Sequence, residues 1–263
     1  MGKRRCVTEN IGHSGTHHFR QEYTGFGKGT KMASSDGNKT SIHTDGSEMI
    51  LIPAGEFLMG DDDQSDNQRH TVNLSAYYIY KNLVTVGMYE KFCQDTGRKM
   101  PSAPSFNPAW SKKDHPIVNV SWEDADAYCK WAGVKLPTEQ QWEKAARWDV
   151  KTGKAYQYPW GDKFDRDQLR CSTSGYGDSG GTASVNRDDR LGVSPYGIND
   201  MAGNVFQWCA DWYDDKQDTR VLRGGSWDCY DPVLFRSAFR NWGVPTFRYD
   251  YGSFRCCASP GLR

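Results

Sequence analysis

The chain has 263 residues, and its 33 Lys and Arg balance its 33 Asp and Glu, so the formal net charge is zero. Balanced charge gives no general electrostatic reason to bind nucleic acid or an anionic membrane surface. No apolar run approaches the roughly 20 residues that a spanning helix needs, which excludes membrane insertion by a helix and leaves one large or two small globular domains.

The basic start, Met1 to Cys6, is not followed by an apolar stretch of about 7–15 residues, so no secretory signal is expected. The chain as written reads as cytoplasmic, with display on a cell surface or a phage left open. Eight cysteines (Cys6, Cys93, Cys129, Cys171, Cys209, Cys229, Cys256 and Cys257) are scattered without a Cys-x-x-Cys pair, the pattern of buried, reduced thiols. Ten Trp and 14 Tyr suggest a loop-rich core pinned by rings.

Residues 1–47 are rich in Gly, Ser, Thr, His and Lys and lack apolar periodicity, so they read as a flexible or loosely attached lead. His13, His17 and His18 belong to that polar tail. The domain proper is expected over 48–263. Met49 to Gly60 holds two apolar runs around Pro53-Ala54-Gly55, the pattern of a β-hairpin. Asp61 to Gln68 is an acidic loop, and His70 to Tyr80 alternates as one strand. Thr85 is suited to cap a helix that buries Met88, Tyr89, Phe92 and Cys93 and stops near Gly97. Pro101 to Pro116 is an ordered loop, and Pro116 to Val120 a short strand. Ser121 and Asp124 then form a capping box, and Gly133 ends that helix. Thr138 and Gln141 repeat the box before Trp142 and Ala145. Tyr158 to Asp162 is a rigid aromatic turn, 165–190 a long surface excursion, and Gly203-Asn204 a turn into an aromatic strand. Short strands, few short helices and many loops make an α+β domain.

The C-terminal stretch 220–263 differs from the rest. Arg220 to Trp227 (RVLRGGSW) and Ser253 to Cys257 (SFRCC) bracket a run in which aromatics alternate with acids, small residues and spaced arginines. Large rings with few rotatable bonds among small polar residues give contact area at low entropic cost, which is how binding surfaces are composed. Gly243, Pro245 and Gly252 break this run, so it cannot form one continuous buried strand.

The segments Met49–Gly60, Pro116–Arg147, Tyr158–Asp162, Tyr196–Tyr213, Val221–Trp227 and Phe254-Arg255, in that order, resemble the formylglycine-generating enzyme (sulfatase-modifying factor) family. The resemblance implies an elaborated C-type lectin fold. It also implies an active site of two cysteines that bind copper as thiolates and oxidise a substrate cysteine with dioxygen. Gly224 to Cys229 keeps the serine and the first cysteine of that site, but Leu234 stands at the second position. A near-linear Cu(I) site needs two soft ligands, and one thiolate does not make it. The resemblance further implies calcium at Asp200, Gly203, Val205 and Gln207, where Gln207 replaces a carboxylate that a hard cation favours.

The frame RVLRGGSW, then Arg236-Ser237-Ala238-Phe239-Arg240, Pro245-Thr246-Phe247-Arg248 and Phe254-Arg255, is similar to the variable proteins of diversity-generating retroelements. In that group a C-type lectin scaffold displays residues rewritten from Asn codons. The resemblance implies that Asp228, Cys229, Tyr230, Val233, Leu234, Phe239, Asn241, Trp242, Gly243, Val244, Phe247, Tyr249, Asp250, Tyr251 and Ser253 contact a ligand. Trp242 departs from the pattern, since a Trp codon is not reached by changing only the first two bases of an Asn codon. Arg223, Gly224, Gly225, Ser226, Trp227, Arg236, Arg240, Arg248 and Arg255 would hold the backbone beneath. The expected function is therefore non-enzymatic binding of a macromolecule, a protein in particular, by a monomer that needs no cofactor. A copper-dependent oxidase acting on a cysteine of a sulfatase-like substrate is the alternative.

Overall fold

The structure is a computed structural model, and it describes residues 31–33, 40–43, 45–173, 180–186 and 191–261. His13, His17, His18 and Cys6 lie outside the described residues. In chain order the elements are β1 (Lys31–Ala33), β2 (Thr40–Ile42), β3 (Glu48–Ile52), β4 (Gly55–Met59), β5 (His70–Leu74), β6 (Tyr77–Tyr80), α1 (Val86–Thr96), α2 (Trp122–Ala132), α3 (Glu139–Arg147), β7 (Trp148–Asp149), β8 (Lys154–Ala155), β9 (Phe206–Trp212), β10 (Arg220–Arg223), β11 (Asn241–Gly243), β12 (Gly252–Ser253) and β13 (Cys257–Ala258). The five-stranded sheet runs β1-β2-β3-β6-β13 and the four-stranded sheet β11-β10-β9-β12, with β4-β5 and β7-β8 as separate pairs. This is an α+β, loop-rich C-type lectin fold of the formylglycine-generating-enzyme type.

All three helix starts follow from their caps. Thr85 Oγ1 accepts from Met88 N at 3.3 Å. Ser121 and Asp124 close a capping box before α2, as do Thr138 and Gln141 before α3. Each side-chain acceptor satisfies a first-turn N–H that has no partner within the helix. Rings join α1 to α2: Tyr89 stacks on Tyr128 at 6.0 Å, Phe92 meets Tyr128 edge-on at 5.5 Å, and Phe254 meets Tyr128 at 5.4 Å. On the other side, Trp142, Ala145 and Ala146 pack with Ile50, Ile52, Tyr77 and Ile79. The seven described cysteines are buried and form no disulfide with one another, with Cys129 and Cys256 Sγ 3.5 Å apart. Burial pushes the Cys256 thiol well above its ordinary value, and the Cys129 contact adds to the shift.

Three sequence expectations are corrected. The Met49–Gly60 hairpin does not form, because β3 pairs with β2 and β6 while β4 pairs with β5. Lys144 Nζ takes the carbonyls of Pro53 and Gly55 at 2.9 and 2.8 Å, so the turn is anchored to α3 and the two strands diverge. The single strand expected over His70–Tyr80 is divided after Leu74, and its halves serve different sheets. Pro116–Val120 holds only a bridge between Pro116 and Thr85, with Ile117, Val118 and Val120 fully buried. Of the lead segment expected over 1–47, the described residues include β1 and β2, which pair with each other, and β2 pairs with β3. Asp45 of that segment accepts through Oδ2 from Tyr80 Oη at 2.7 Å and Tyr128 Oη at 3.0 Å. Burial alone would raise the Asp45 carboxyl, but His43, Tyr80 and Ser47 lower it to about 2.

Candidate functional site

The C-terminal stretch lies along the four-stranded sheet, and Arg223, Arg240 and Arg255 reach inward to hold it there. Arg223 is fully buried; it donates to Glu139 Oε1 at 2.8 Å, Glu143 Oε2 at 2.5 Å and the Ser237 carbonyl at 2.5 Å. Arg240 donates to the same Glu139 oxygen at 2.7 Å and to the Tyr213 carbonyl at 3.1 Å. Arg147 reaches Glu143 Oε1 at 3.2 Å and the Gly60 carbonyl at 3.0 Å. Burial opposes charge on Arg223 and Arg240, yet the two glutamates raise Arg223, and Glu139 raises Arg240, above the ordinary guanidinium value. Arg255 has a different environment: it donates to the Gln207 amide oxygen and to the backbone carbonyls of Tyr80, Lys81, Asn199 and Asp200. Burial there outweighs Asp200 and lowers it to about 10.

One glycine in particular sets the path of the stretch. Gly225 has φ +72°, and a Cβ on it would sit 2.5 Å from Phe235 Cδ1. Only a residue without a side chain allows that left-handed turn against the ring. Beyond it, Trp227 N donates to the Asn204 carbonyl at 2.9 Å, which seats the indole beside Phe106 at 5.2 Å.

The expected ligand-contacting residues divide by exposure. Tyr230 (63 %), Trp242 (42 %), Phe247 (57 %) and Asp250 present their side chains to solvent. Asp228, Val233, Phe239, Asn241, Val244, Tyr249 and Tyr251 are half-buried. Tyr249 stacks on Tyr251 at 5.0 Å and meets Phe247 at 6.3 Å, while Trp208 and Phe206 support Tyr249 and Tyr251 from below, each at 6.1 Å. The result is an aromatic ledge rooted in the core. Cys229, Leu234, Gly243 and Ser253, also expected among the contacts, are buried. Leu234 belongs to the hydrophobic core; Cys229 Sγ lies 3.1 Å from Ser226 Oγ; β12 holds Ser253 beside Gln207; and a Cβ on Gly243 would lie 2.6 Å from Trp208 Cη2. Two residues of the site were not anticipated. Phe106 flanks Trp227, and Asn119, with φ +58°, accepts from Arg248 Nη1 at 3.2 Å through its carbonyl while its N–H donates to the Tyr249 carbonyl. Neither carries a sequence signal, since both lie in loops.

The calcium expectation does not fit these residues. Gln207 Oε1 accepts from Trp142 Nε1 at 2.8 Å and Arg255 Nε at 2.7 Å, and Gln207 Nε2 donates to the Asp200 carbonyl at 2.6 Å. A guanidinium already faces the oxygens a cation would need, and Val205 N takes the Gly203 carbonyl. Leu234, expected in place of a second active-site cysteine, is buried in the core. Among the described residues no three of His, Cys, Asp and Glu group as metal ligands, and no helix is long and apolar enough to cross a membrane.

Comparison with known proteins agrees with this architecture. The chain is 29 % identical to the formylglycine-generating enzyme of Thermomonospora curvata, over 81 % of this chain and 93 % of that one. It is 40 % identical to the inactive C-alpha-formylglycine-generating enzyme 2 of Bos taurus, over 57 % of this chain and 52 % of the relative. Among solved structures, Treponema denticola variable protein 1 superposes with a TM-score of 0.64 at 22 % identity, covering 88 % of this chain and 99 % of that one. The model of the sulfatase-modifying factor enzyme 1-like domain matches residues 35–260, and the chain belongs to that family.

Proposed function

We propose that the chain is a non-enzymatic ligand-binding protein whose C-terminal stretch contacts a protein partner, acting as a monomer without a cofactor. The carrying observation is the contrast within 220–263. Arg223, Arg255, Gly224 and Gly225 of the frame are buried, while Tyr230, Trp242, Phe247 and Asp250 stand exposed around the Tyr249–Tyr251 stack. Exposed rings grouped with an acid usually mark an interaction site, and a shallow ledge suits a macromolecule better than a metabolite. The fold shared with Treponema denticola variable protein 1, and the identity with an inactive enzyme homologue, support this reading. On it, residues along the stretch are of the interchangeable kind that a diversity-generating retroelement rewrites.

Copper-dependent oxidation of a substrate cysteine is the second reading, favoured by the retained Ser226 and Cys229 and by identity to formylglycine-generating enzyme. One pair of measurements separates the two. Selection against a displayed protein library, followed by affinity measurement on the purified hit, should yield binding that falls at least ~10-fold in a Tyr230→Ala, Phe247→Ala, Tyr251→Ala variant. Equal affinity in the variant, or stoichiometric Cu(I) binding with oxygen consumption on a cysteine peptide, would overturn the binding reading.

A further inference from the structure

Next to the aromatic ledge lies a cavity of about 360 Å³ with an unbalanced charge. Its walls come from three separated parts of the chain. Arg98, Lys99 and Met100 follow the C-terminal end of α1, Asp124 sits in the first turn of α2, and Arg248 lies between Phe247 and Tyr249; Tyr89, Pro101 and Ser102 complete the lining. Three cations thus share one carboxylate, and that carboxylate is already committed. Asp124 Oδ2 accepts from Ser121 N at 3.0 Å and from Arg248 Nη1, and Oδ1 is 4.0 Å from Arg98 Nη1. Lys99 has no carboxylate within 4.0 Å among the described residues.

The cations are both held and available. Arg98 lies over the Phe92 ring at 5.7 Å, and Arg248 is tied to the Asn119 carbonyl at 3.2 Å. Their side chains nevertheless remain about half exposed, at 51 % and 48 %. A guanidinium carries five N–H donors in a planar fork that matches a carboxylate, and each of these spends only part of its set on the protein. Tyr89 and Met100 supply apolar surface for the methylenes of an incoming side chain.

We propose that this cavity receives an acidic side chain, Glu or Asp, from the protein partner that lies across the ledge. The proposal rests on the ligand-binding reading above and specifies its partner as a segment with a carboxylate next to the residue that covers Phe247 and Tyr249. The ledge varies in what it displays, whereas the cavity is built from residues outside it together with the frame residue Arg248, so it supplies an anchor common to different partners.

The test needs no identified partner. The full chain is titrated with the blocked tripeptide acetyl-Gly-Glu-Gly-amide, with its Gly-Gln-Gly counterpart and with inorganic phosphate, and arginine and lysine side-chain NMR signals are followed. Saturable shifts at Arg98, Lys99 and Arg248 are expected with the Glu peptide alone. An Arg98→Ala, Lys99→Ala variant, changed only at exposed residues, should bind it roughly 5–10-fold more weakly, two exposed ion pairs being lost. A Phe247→Ala, Tyr251→Ala variant should bind it unchanged. No saturable shift, an equal response to the Gln peptide, no weakening in the Arg98→Ala, Lys99→Ala variant, or phosphate binding ~10-fold tighter than the Glu peptide would overturn the proposal. Failure of the ledge itself registers separately, as unchanged affinity of the aromatic variant for a selected protein.

Discussion

Replacement of Arg223 by methionine is the sharpest test of whether buried charge holds the C-terminal stretch in place. Arg223 is fully buried and spends its guanidinium on Glu139, Glu143 and the Ser237 carbonyl. Methionine refills much of the volume but leaves these acceptors short of a donor. Glu143 keeps Arg147, Gly60 N at 2.7 Å and Asn67 Nδ2 at 3.0 Å, and Glu139 keeps Arg240 at 2.7 Å, so neither carboxylate is abandoned. Breaking a buried ion pair by removing one partner costs about 3–5 kcal/mol, and an orphaned carbonyl adds about 1–3 kcal/mol. With the remaining donors offsetting part of this, a loss of about 3–5 kcal/mol is expected, or ~10 °C in Tm for a chain of this size. Urea unfolding at pH 7 measures it. The pH dependence has a definite sign. Burial raises the Glu139 carboxyl, but Arg240 and Arg223 together lower it further, so its folded value lies below the ordinary 4.5. A depressed acid contributes stability that is complete above the unfolded value and lost as pH falls through the folded one. The Arg223→Met loss should therefore be full at neutral pH and shrink below about pH 4.5. A loss under ~1 kcal/mol at pH 7, or one that grows on acidification, would refute the reasoning.

Phe247→Ala, at a 57 % exposed ring, should change stability by no more than about 0.5 kcal/mol, while Gly243→Ala drives a Cβ against Trp208 and should cost about 1–3 kcal/mol; thermal unfolding of both compares them. Asp211 is raised by burial and by Glu139 to about 6, although Glu139 N donates to it at 2.5 Å. An acid raised in the folded state subtracts stability as pH climbs through that value, so Asp211→Asn should stabilise by about 1–2 kcal/mol above pH 6, with the gain fading toward pH 4; denaturation at pH 7.5 and 4.5 checks this. Millimolar calcium should leave Tm unchanged, since Gln207 is saturated by Trp142, Arg255 and Asp200; a rise of several degrees would show a cation site after all.

Local signals were legible in the sequence and non-local pairings were not. The caps Thr85, Ser121 and Thr138 each bond a residue three positions on, so the sequence spacing contains the whole interaction. The strands around Pro53 were legible as strands, but β3 finds its neighbours in β2 and β6, and Lys144, some 90 positions away, holds the turn. Nothing in the local sequence marks Glu143 and Arg147 as buried, yet both are, because Arg223, Gly60 and Asn67 arrive from distant segments to satisfy them. The same limit acts on the ligand site. The alternation of 220–263 set that stretch apart in the sequence, while whether a given side chain faced out depended on what lay under it.

That dependence orders the stretch by how freely it can change. Replacing exposed Tyr230, Trp242 or Phe247 alters the surface and little else. Tyr249 and Tyr251 are half-buried, and each gives one ring face to the core through Trp208 or Phe206, so a polar residue there would remove support as well as a contact. Leu234 and Gly243 admit almost nothing larger, smaller or polar without repacking Phe235 or Trp208. A scaffold that binds by varied side chains must keep backbone position independent of the residues displayed. Here the buried arginines meet that need through bonds to α3 carboxylates and to backbone carbonyls, none of which belongs to an exposed position. Variation at the four exposed residues should therefore change what is bound while stability stays level, and the half-buried ring pair should be where the two first become coupled.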